Sequence, residues 1–159
     1  MAQAEGSEYS LVFGPDIKLA MERLIKDDLP ELGAYFAVTR PDTDGVGYIG
    51  FGNYDKHNIH IFIACEGKNP PMRLGWKYAL RYAFEVAGCK RMTSMVNASN
   101  TKALRMNKIF GLKPEGVVRM GNKDTGEDVH LFGYTIDDYE KYLERKNGKV
   151  SRPARVRHA

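Results

Sequence analysis

Residues 97–116 read Asn-Ala-Ser-Asn-Thr-Lys-Ala-Leu-Arg-Met-Asn-Lys-Ile-Phe-Gly-Leu-Lys-Pro-Glu-Gly. This stretch places an asparagine-rich turn directly after a strand-like run, and a short helical pattern follows the turn. Gly111 stands where a helix commonly ends. Residues 114–116 then lead into another strand-like run. Strand, amide-rich turn, short helix and strand in this order predict a mixed α/β domain.

The residues just before this stretch predict the best helix of the chain. Its apolar positions recur at helical spacing, and Gly88 ends it; they are Trp76, Ala79, Leu80, Ala83, Phe84 and Ala87. Strand-like runs precede and follow it, at Ile59 to Cys65 and at Arg91 to Val96. A helical crossover between two strands predicts that they are parallel, with a right-handed connection.

The other elements follow from periodicity and turn residues. The N-terminal half predicts a short strand at Tyr9 to Phe13, a helix at Asp16 to Leu29, and a hairpin of strands at Ala34 to Thr39 and Val46 to Phe51. The C-terminal half predicts a helix at Asn100 to Phe110, a hairpin of strands at Val117 to Met120 and Val129 to Ile136, and a closing helix at Asp137 to Glu144.

Length and charge predict one domain with a basic end. The 159 residues suit a single domain, which we place at 1–144. Residues 145–159 carry six Lys and Arg and no Asp or Glu, so this tail, and not the rest of the chain, accounts for the net charge of +4. We interpret 145–159 as a flexible, solvated end; contact with nucleic acid or an acidic partner is the alternative.

Targeting, membrane and metal signals are missing from the sequence. No apolar run approaches the roughly 20 residues that span a bilayer, and residues 1–8 lack a leader pattern. Cys65 and Cys89 stand in neither a metal-ligand nor a redox spacing, so we expect reduced thiols and no metal site. These features predict a cytoplasmic protein without membrane contact.

The order and spacing of these motifs resemble the GNAT superfamily of N-acetyltransferases over roughly Tyr9 to Ile136. After the fifth strand the family carries an Asn, a small residue three positions later, a frequent Tyr at seven, and Gly-Phe at eleven and twelve. The counterparts here are Asn100, Ala103, Asn107, Gly111 and Leu112. The resemblance implies a GNAT-like mixed sheet: antiparallel N-terminal strands, a central parallel pair splayed around a coenzyme A cleft, and a C-terminal hairpin.

The resemblance also implies acetyl-CoA as co-substrate and a phosphate-binding loop before the best helix. The family pattern is Gln or Arg, two variable residues, Gly, one variable residue, then Gly or Ala; here Gly75 matches, whereas Met72 and Lys77 depart. A helix start offers free N–H groups and a positive dipole end to phosphate. The implied cofactor-binding residues are Ala64, Cys65, Met72, Arg73, Leu74, Gly75, Trp76, Lys77, Asn97, Asn100, Lys102 and Asn107. A helix cap is the alternative role for Asn100.

Direct attack by an amine requires a base for the amine and a proton source for the leaving thiolate. The resemblance points to Glu66 as the base, at the end of the strand that faces the thioester. Asn107 stands where many family members carry a tyrosine acid, and an amide cannot donate a proton in that way. We therefore expect the acid to be Tyr78, with Tyr82 or solvent as alternatives.

The resemblance predicts an N-acetyltransferase that moves an acetyl group from acetyl-CoA to a primary amine, on a protein N-terminus, a lysine or a small molecule. Acidic residues near 27–35 and 122–128 suit a cationic acceptor, although solvated loop acids are the alternative. The second hypothesis is a non-catalytic acetyltransferase-like binding or structural protein, of the kind encoded by bacteriophages, whose basic tail contacts nucleic acid or an acidic partner. The sequence is compatible with an oligomer.

Overall fold

One sheet of seven strands forms the body of the molecule in the computed structural model, which describes residues 9–25 and 29–150. The strand order is β1-β2-β3-β4-β5-β7-β6. The strands are β1 Ser10–Val12, β2 Leu32–Thr39, β3 Val46–Gly52, β4 Asn58–Glu66, β5 Arg91–Asn97, β6 Lys113–Val118 and β7 Val129–Thr135. The helices are α1 Pro15–Ile25, α2 Met72–Arg81, α3 Thr101–Ile109 and α4 Ile136–Val150. This architecture confirms the predicted fold class.

Helices cover both faces of the N-terminal half of the sheet, where β1 to β4 pair antiparallel. On one face, α1 packs with Ile17 and Met21 against side chains of β2, β3 and β4, which include Tyr48 and Ala64. On the other face, α2 packs with Trp76, Ala79 and Leu80. We call these two sides the α1 face and the α2 face. The period-two alternation of strand side chains therefore decides which residues of β4 meet which helix.

The parallel pair β4–β5 stays together over three residues only. The paired residues are Asn58 with Arg91, Ile59 with Met92, and His60 with Thr93. Beyond His60, β4 continues to Glu66, paired with β3 alone, and β5 continues to Asn97, paired with β7 alone. The two strands thus diverge toward their carboxyl ends, as the predicted splay requires.

The C-terminal strands differ in position from the prediction. The edge strand β6 spans Lys113–Val118, earlier than the predicted Val117 to Met120, and a register shift between Pro114 and Gly116 accommodates the proline at the sheet edge. β7 inserts between β5 and β6. β7 therefore contributes Phe132 and Tyr134 to the core, whereas all six residues of β6 are exposed.

The best predicted helix changes its winding before its end. The α-helix stops at Arg81, and Tyr82–Val86 forms a π-helical turn closed by the bond from Ala87 N–H to the Tyr82 carbonyl oxygen, 2.8 Å. Apolar spacing does not distinguish the two windings, because Ala83 and Phe84 still face the core.

The closing helix is longer than predicted. α4 runs to Val150, six residues past the predicted domain boundary at 144, so residues 145–150 of the predicted tail are helical. Thr135 and Asp138 form a capping box that starts this helix, with the Thr135 N–H donating to Asp138 Oδ2 at 2.9 Å and the Asp138 N–H donating to Thr135 Oγ1 at 3.3 Å. Tyr139 then stacks on Phe84 and fixes α4 to the α2 face. Residues 151–159 of the tail lie outside the described residues.

Candidate active site

The diverging ends of β4 and β5 enclose a cavity of about 290 Å³. Its described lining comprises Leu24, Ile25, Ile61, Phe62, Ile63, Ala64, Cys65, Ser94, Met95, Val96, Asn97, Asn100, Lys102, Ala103, Met106 and Asn107. Beyond His60 and Thr93, β4 pairs with β3 and β5 pairs with β7, so among the described residues the facing edges of β4 and β5 do not pair with each other. Such edges are suited to an extended ligand that carries amide groups. We call this cavity the cleft.

A buried polar pair lies at the closed end of the cleft. Ser94 is the first β5 residue beyond the last β4–β5 pair, and its hydroxyl oxygen accepts a hydrogen bond from Asn107 Nδ2 at 2.9 Å. Ser94 is 6% exposed and Asn107 is 4% exposed. Asn107 therefore lies in the cleft, as the family pattern places its counterpart.

Asn97 and Asn100, in the turn before α3, make structural hydrogen bonds and also line the cleft. The Asn100 side chain caps α3 by accepting the Ala103 N–H at 3.1 Å, and the same residue lines the cleft. Asn97 ends β5 and accepts a hydrogen bond from Asn122 Nδ2 at 3.0 Å. Lys102 is the one formally charged residue in the described lining. The helix-cap role of Asn100 is therefore present, and it does not remove the residue from the cleft.

The β6–β7 loop braces this turn. The Ser99 N–H donates to Glu127 Oε1 at 2.9 Å, and the Ala98 N–H donates to the Asp128 carbonyl oxygen at 2.9 Å. The Ser99 backbone bond is the largest cause of a lowered pKa at Glu127. Two of the acids that suit a cationic acceptor, Glu127 and Asp128, thus hold the loop together through local hydrogen bonds.

The first turn of α2 keeps free backbone donors. α2 has no side-chain cap, while the N–H groups of Met72 and Gly75 bond the carbonyl oxygens of Pro70 and Pro71. Within the described chain no acceptor takes the N–H groups of Arg73 and Leu74. Free N–H groups at the positive end of a helix dipole are suited to binding an anion.

Two residues of the predicted phosphate-binding run face the sheet instead. A Cβ at Gly75 would lie 2.9 Å from Ile49 Cδ1, so this glycine lets α2 pass close over β3. Met72 packs its sulfur against Gly47, where a Cβ would lie 2.5 Å from that sulfur. Gly75 and Met72 therefore position the helix start against β3.

Trp76 lies outside the cleft. It stacks on Phe110 and meets Tyr134 edge-on, at the floor of a second hollow of about 630 Å³ between α2, α3 and α4. Arg73 and Lys77 are exposed on the opposite side of α2, where neither lines the cleft within the described residues. Of the six residues in the run 72–77, none reaches the lining of the cleft.

Glu66 ends β4 on the α1 face, beside the mouth of the cleft. Its carboxylate forms an ion pair with Arg23 of α1 at 3.0 Å and accepts a hydrogen bond from the Tyr48 hydroxyl. Burial, together with the Glu66 carboxylate, raises the pKa of Tyr48 to about 12, so the phenol keeps its proton at neutral pH. Oε2 of Glu66 therefore contacts Arg23, and Oε1 accepts the hydrogen bond from Tyr48.

Tyr78 lies on the other side of the sheet. It packs with the α2-face core, and its hydroxyl is 2.9 Å from the Tyr9 hydroxyl; this hydrogen bond is the main cause of its raised pKa. Tyr78 does not line the cleft within the described residues. The structure thus does not bring the two predicted catalytic residues, Glu66 and Tyr78, together.

Six predicted cofactor-binding residues do converge on the cleft: Ala64, Cys65, Asn97, Asn100, Lys102 and Asn107. Sequence reasoning missed others, above all Ser94, Met95 and Phe62. The one available signal for Ser94 was a polar side chain on the same strand face as the apolar Met92 and Val96. Such a pattern alone does not show which strand edge is unpaired.

Neither a metal cluster nor a membrane span is found in the described part of the chain. Residues 9–25 and 29–150 contain no group of three or more His, Cys, Asp or Glu side chains placed to hold a metal ion. In the same ranges no helix has both the length and the apolar composition needed to cross a bilayer.

Comparison by sequence finds no relatives: no protein-family model matches the chain, and no curated protein matches it. Comparison by structure finds many. The dodecameric spermidine N-acetyltransferase of Vibrio cholerae has a TM-score of 0.66 at 16% identity, over 88% of this chain and 99% of that one. The spermidine/spermine N-acetyltransferase SpeG of the same organism, in complex with manganese ions, has a TM-score of 0.63 at 16% identity, over 87% and 95%.

A GCN5-related N-acetyltransferase from Brucella melitensis has a TM-score of 0.63 at 19% identity, and this chain spans 63% of its length. The chain therefore has the fold of the GNAT superfamily, and the predicted resemblance is confirmed at the level of the fold. Identities in this range show the shared fold alone.

Proposed function

We propose that the chain is an acetyl-CoA-dependent N-acetyltransferase that acts on a primary amine by direct attack. The observation that carries this proposal is the cleft between β4 and β5, where residues 61–65 and 94–96 do not pair with each other, inside a domain of acetyltransferase fold. Buried backbone groups are rarely left without partners. An extended, amide-bearing arm such as the pantetheine of coenzyme A would supply those partners.

The two ends of such a ligand have suitable surroundings. At the open end, the free N–H groups of Arg73 and Leu74 and the exposed Arg73 and Lys77 side chains suit a pyrophosphate. Along the cleft, Asn97, Asn100 and Lys102 offer polar groups, and Ala64 and Ala103 leave room for the arm. Acetyl-CoA, when bound, would supply the activated acetyl group.

Glu66 is our proposed base for the acceptor amine. Its carboxylate lies on the α1 face, as do Phe62 and Ala64 of the cleft lining, so an acceptor entering beside α1 passes close to it. Because Glu66 lies at the open end of the cleft, its carboxylate would take the proton that a cationic amine must lose through water and not by direct contact. The structural neighbours are named for action on spermidine and spermine, which supports a primary amine as acceptor class.

The alternative is a non-catalytic binding protein on the same fold. One observation favours it: Asn107 occupies the place of the family's tyrosine acid and is committed to a hydrogen bond with Ser94. Contact of the basic tail with nucleic acid or an acidic partner stays a prediction, as does cytoplasmic location. The dodecameric state named for the Vibrio cholerae enzyme makes an oligomer a further proposal for this chain.

Calorimetric titration with acetyl-CoA tests the proposal. We expect wild-type protein to bind acetyl-CoA and the variant Ala103→Phe to lose binding, because Ala103 lines the cleft and a phenyl ring would fill it. Arg105→Phe is the matched control, since Arg105 is exposed on the same helix and does not line the cleft. Equal binding by both variants would show that the cofactor does not enter between the strands.

An acceptor assay separates the enzyme from the alternative. Coenzyme A release is measured with spermidine, a lysine ester and a peptide with a free N-terminus. Binding of acetyl-CoA with turnover of at least one amine supports the enzyme. Binding without turnover of any amine supports the non-catalytic protein.

A further inference from the structure

A buried hydroxyl at the closed end of the cleft carries one more inference. Ser94 Oγ accepts its hydrogen bond from Asn107 Nδ2, which uses an oxygen lone pair and leaves the hydroxyl proton free to be donated. Across the described residues no acceptor takes that proton. Ser94 lines the cleft, so the proton is available to a ligand there.

We propose that Ser94, held in place by Asn107, donates a hydrogen bond to the sulfur atom of the departing coenzyme A thiolate. This inference rests on the proposed function. Ser94 is then a catalytic residue that touches the leaving group, and Asn107 is a positioning residue that acts through it. Many family members carry a tyrosine acid at the place of Asn107. Here Ser94 donates a hydrogen bond to the thiolate in its stead.

The position of Ser94 supports this assignment. The strands separate immediately after the pair His60–Thr93, and Ser94 is the next residue on the β5 side. A pantetheine arm that enters from the start of α2 and follows the edge of β4 facing the cleft would bring its terminal thioester to this closed end. The Ser94 side chain shares the α2 face with Met92 and Val96, so it lies on the same side of the sheet as Asn107 of α3.

The acetyl transfer balances without an added reactant. The amine nitrogen forms a bond to the thioester carbonyl carbon, the carbon–sulfur bond breaks, and its electron pair stays on sulfur. The ammonium proton leaves to water in the cleft, and Glu66 at the open end receives it through water. A free thiol has a pKa of about 8.5, and an alcohol is a much weaker acid, so Ser94 keeps its own proton while its O–H stabilises the thiolate. The thiolate is finally protonated by water.

Hydrogen bonds to charged groups are among the stronger hydrogen bonds in proteins. Loss of one is therefore expected to change a rate or a dissociation constant by roughly tenfold to hundredfold. Ser94→Ala should lower kcat by roughly this factor and leave acetyl-CoA affinity unchanged, because the thioester sulfur carries no charge. Ser94→Thr keeps a hydroxyl and should retain most of kcat. Ser10→Ala, an exposed serine of β1, is the control.

Binding of free coenzyme A gives a readout that does not depend on turnover. The dissociation constant is measured by calorimetry from pH 6.5 to 9.5. A donor at Ser94 favours the thiolate, so wild-type affinity should rise with pH, and Ser94→Ala should bind about tenfold more weakly than wild type at pH 9.5 but equally at pH 6.5. Cys65 and Lys102 are the other titratable groups in the described lining, and both are present in every variant compared.

A double-mutant cycle tests the positioning role of Asn107. If Asn107 acts through Ser94, Asn107→Leu should flatten the pH dependence of coenzyme A binding, and the double variant with Ser94→Ala should behave like Ser94→Ala alone. Additive losses of coenzyme A affinity would limit Asn107 to a structural role and overturn that part of the inference. Thermal melts confirm that each variant is folded.

The outcomes separate this inference from the proposed function. Wild-type protein that binds neither acetyl-CoA nor coenzyme A would contradict the proposed function itself. Wild-type protein that binds both, with a pH dependence identical in Ser94→Ala and no loss of kcat, would overturn the role of Ser94 and leave the proposed function intact.

Discussion

Trp76 and Phe110 stack with ring centroids 5.1 Å apart and ring planes inclined by 9°. Trp76 belongs to α2, and Phe110 directly follows α3, so this contact joins the two helices on the α2 face. α3 carries the cleft-lining residues Lys102, Ala103, Met106 and Asn107. The stacked pair therefore helps to fix the distance between the cleft wall and the central helix.

Phe110→Ala should destabilise the protein by about 2–4 kcal/mol, because it removes a large apolar contact and a favourable ring pair. Urea unfolding measures the loss, and fluorescence reports it locally, since Trp76 is the single tryptophan of the chain. The neighbouring Ile109→Ala is the control: Ile109 is 64% exposed, and its loss should cost no more than about 0.5 kcal/mol. Equal costs for both variants would show that the stack contributes nothing.

Gly75→Ala should destabilise the fold by about 1–3 kcal/mol through overpacking. The new methyl group would lie 2.9 Å from Cδ1 of the fully buried Ile49 and would push α2 away from β3. Gly116→Ala is the control, because nothing lies within 4 Å of its Cβ position. Chemical denaturation measures both. A Gly75→Ala variant as stable as wild type would mean that α2 has room to shift without cost.

Glu66→Gln should reduce kcat for amine acetylation by about 100-fold or more while leaving acetyl-CoA affinity unchanged. The amide keeps the shape of the carboxylate but cannot take a proton from the acceptor. Steady-state kinetics with saturating acceptor, together with calorimetry, make the measurement. Glu22→Gln on α1 is the matched control, because Glu22 is surface-exposed and pairs only with Lys18 among the described residues. An unchanged kcat in Glu66→Gln would assign the proton to water.

Asp138→Asn should destabilise the protein by about 1–3 kcal/mol at pH 7. The Asp138 side chain is 11% exposed and accepts hydrogen bonds from Lys113 Nζ at 2.8 Å and from Thr135. Burial alone would raise the pKa of Asp138, but these hydrogen bonds outweigh it and hold the pKa below its usual value.

The sign of the pH dependence follows from that lowered pKa. A depressed carboxyl pKa stabilises the folded state above the unfolded value of about 3.9, and this stability is lost as pH falls through the lower folded pKa. The difference between wild type and Asp138→Asn should therefore shrink below about pH 4. Asp137→Asn, an exposed residue in the same helical turn, should show no such difference. Urea melts at pH 7 and pH 3 measure both.

Local patterns in the sequence predicted the elements well where neighbours in the chain decide the structure. Apolar spacing located α2, Gly111 marked the end of the α3 region, and the helix between Cys65 and Arg91 required β4 and β5 to be parallel. The same reasoning misplaced β6, because a register shift at Pro114 depends on its partner β7 and leaves no periodic signal in β6 itself.

The candidate site was only partly predictable. Asn100 and Asn107 were found because family spacing along one helix carries them to one wall of the cleft. Ser94 was missed because its place in the cleft depends on the point at which two strands separate. Glu66 and Tyr78 were proposed from their places in the chain, and the structure puts the two side chains on opposite faces of the sheet.

The sequence by itself therefore determined the order of strands and helices, the parallel central pair and the helix cap at Asn100, because hydrogen bonds and side-chain periodicity within a few residues decide those features. Only the tertiary structure decided that β4 and β5 part after His60, that Asn107 bonds Ser94, and that Trp76 faces away from the cleft. These contacts depend on strand register and on how α2 and α3 pack across the sheet, and residues far apart in the chain settle both.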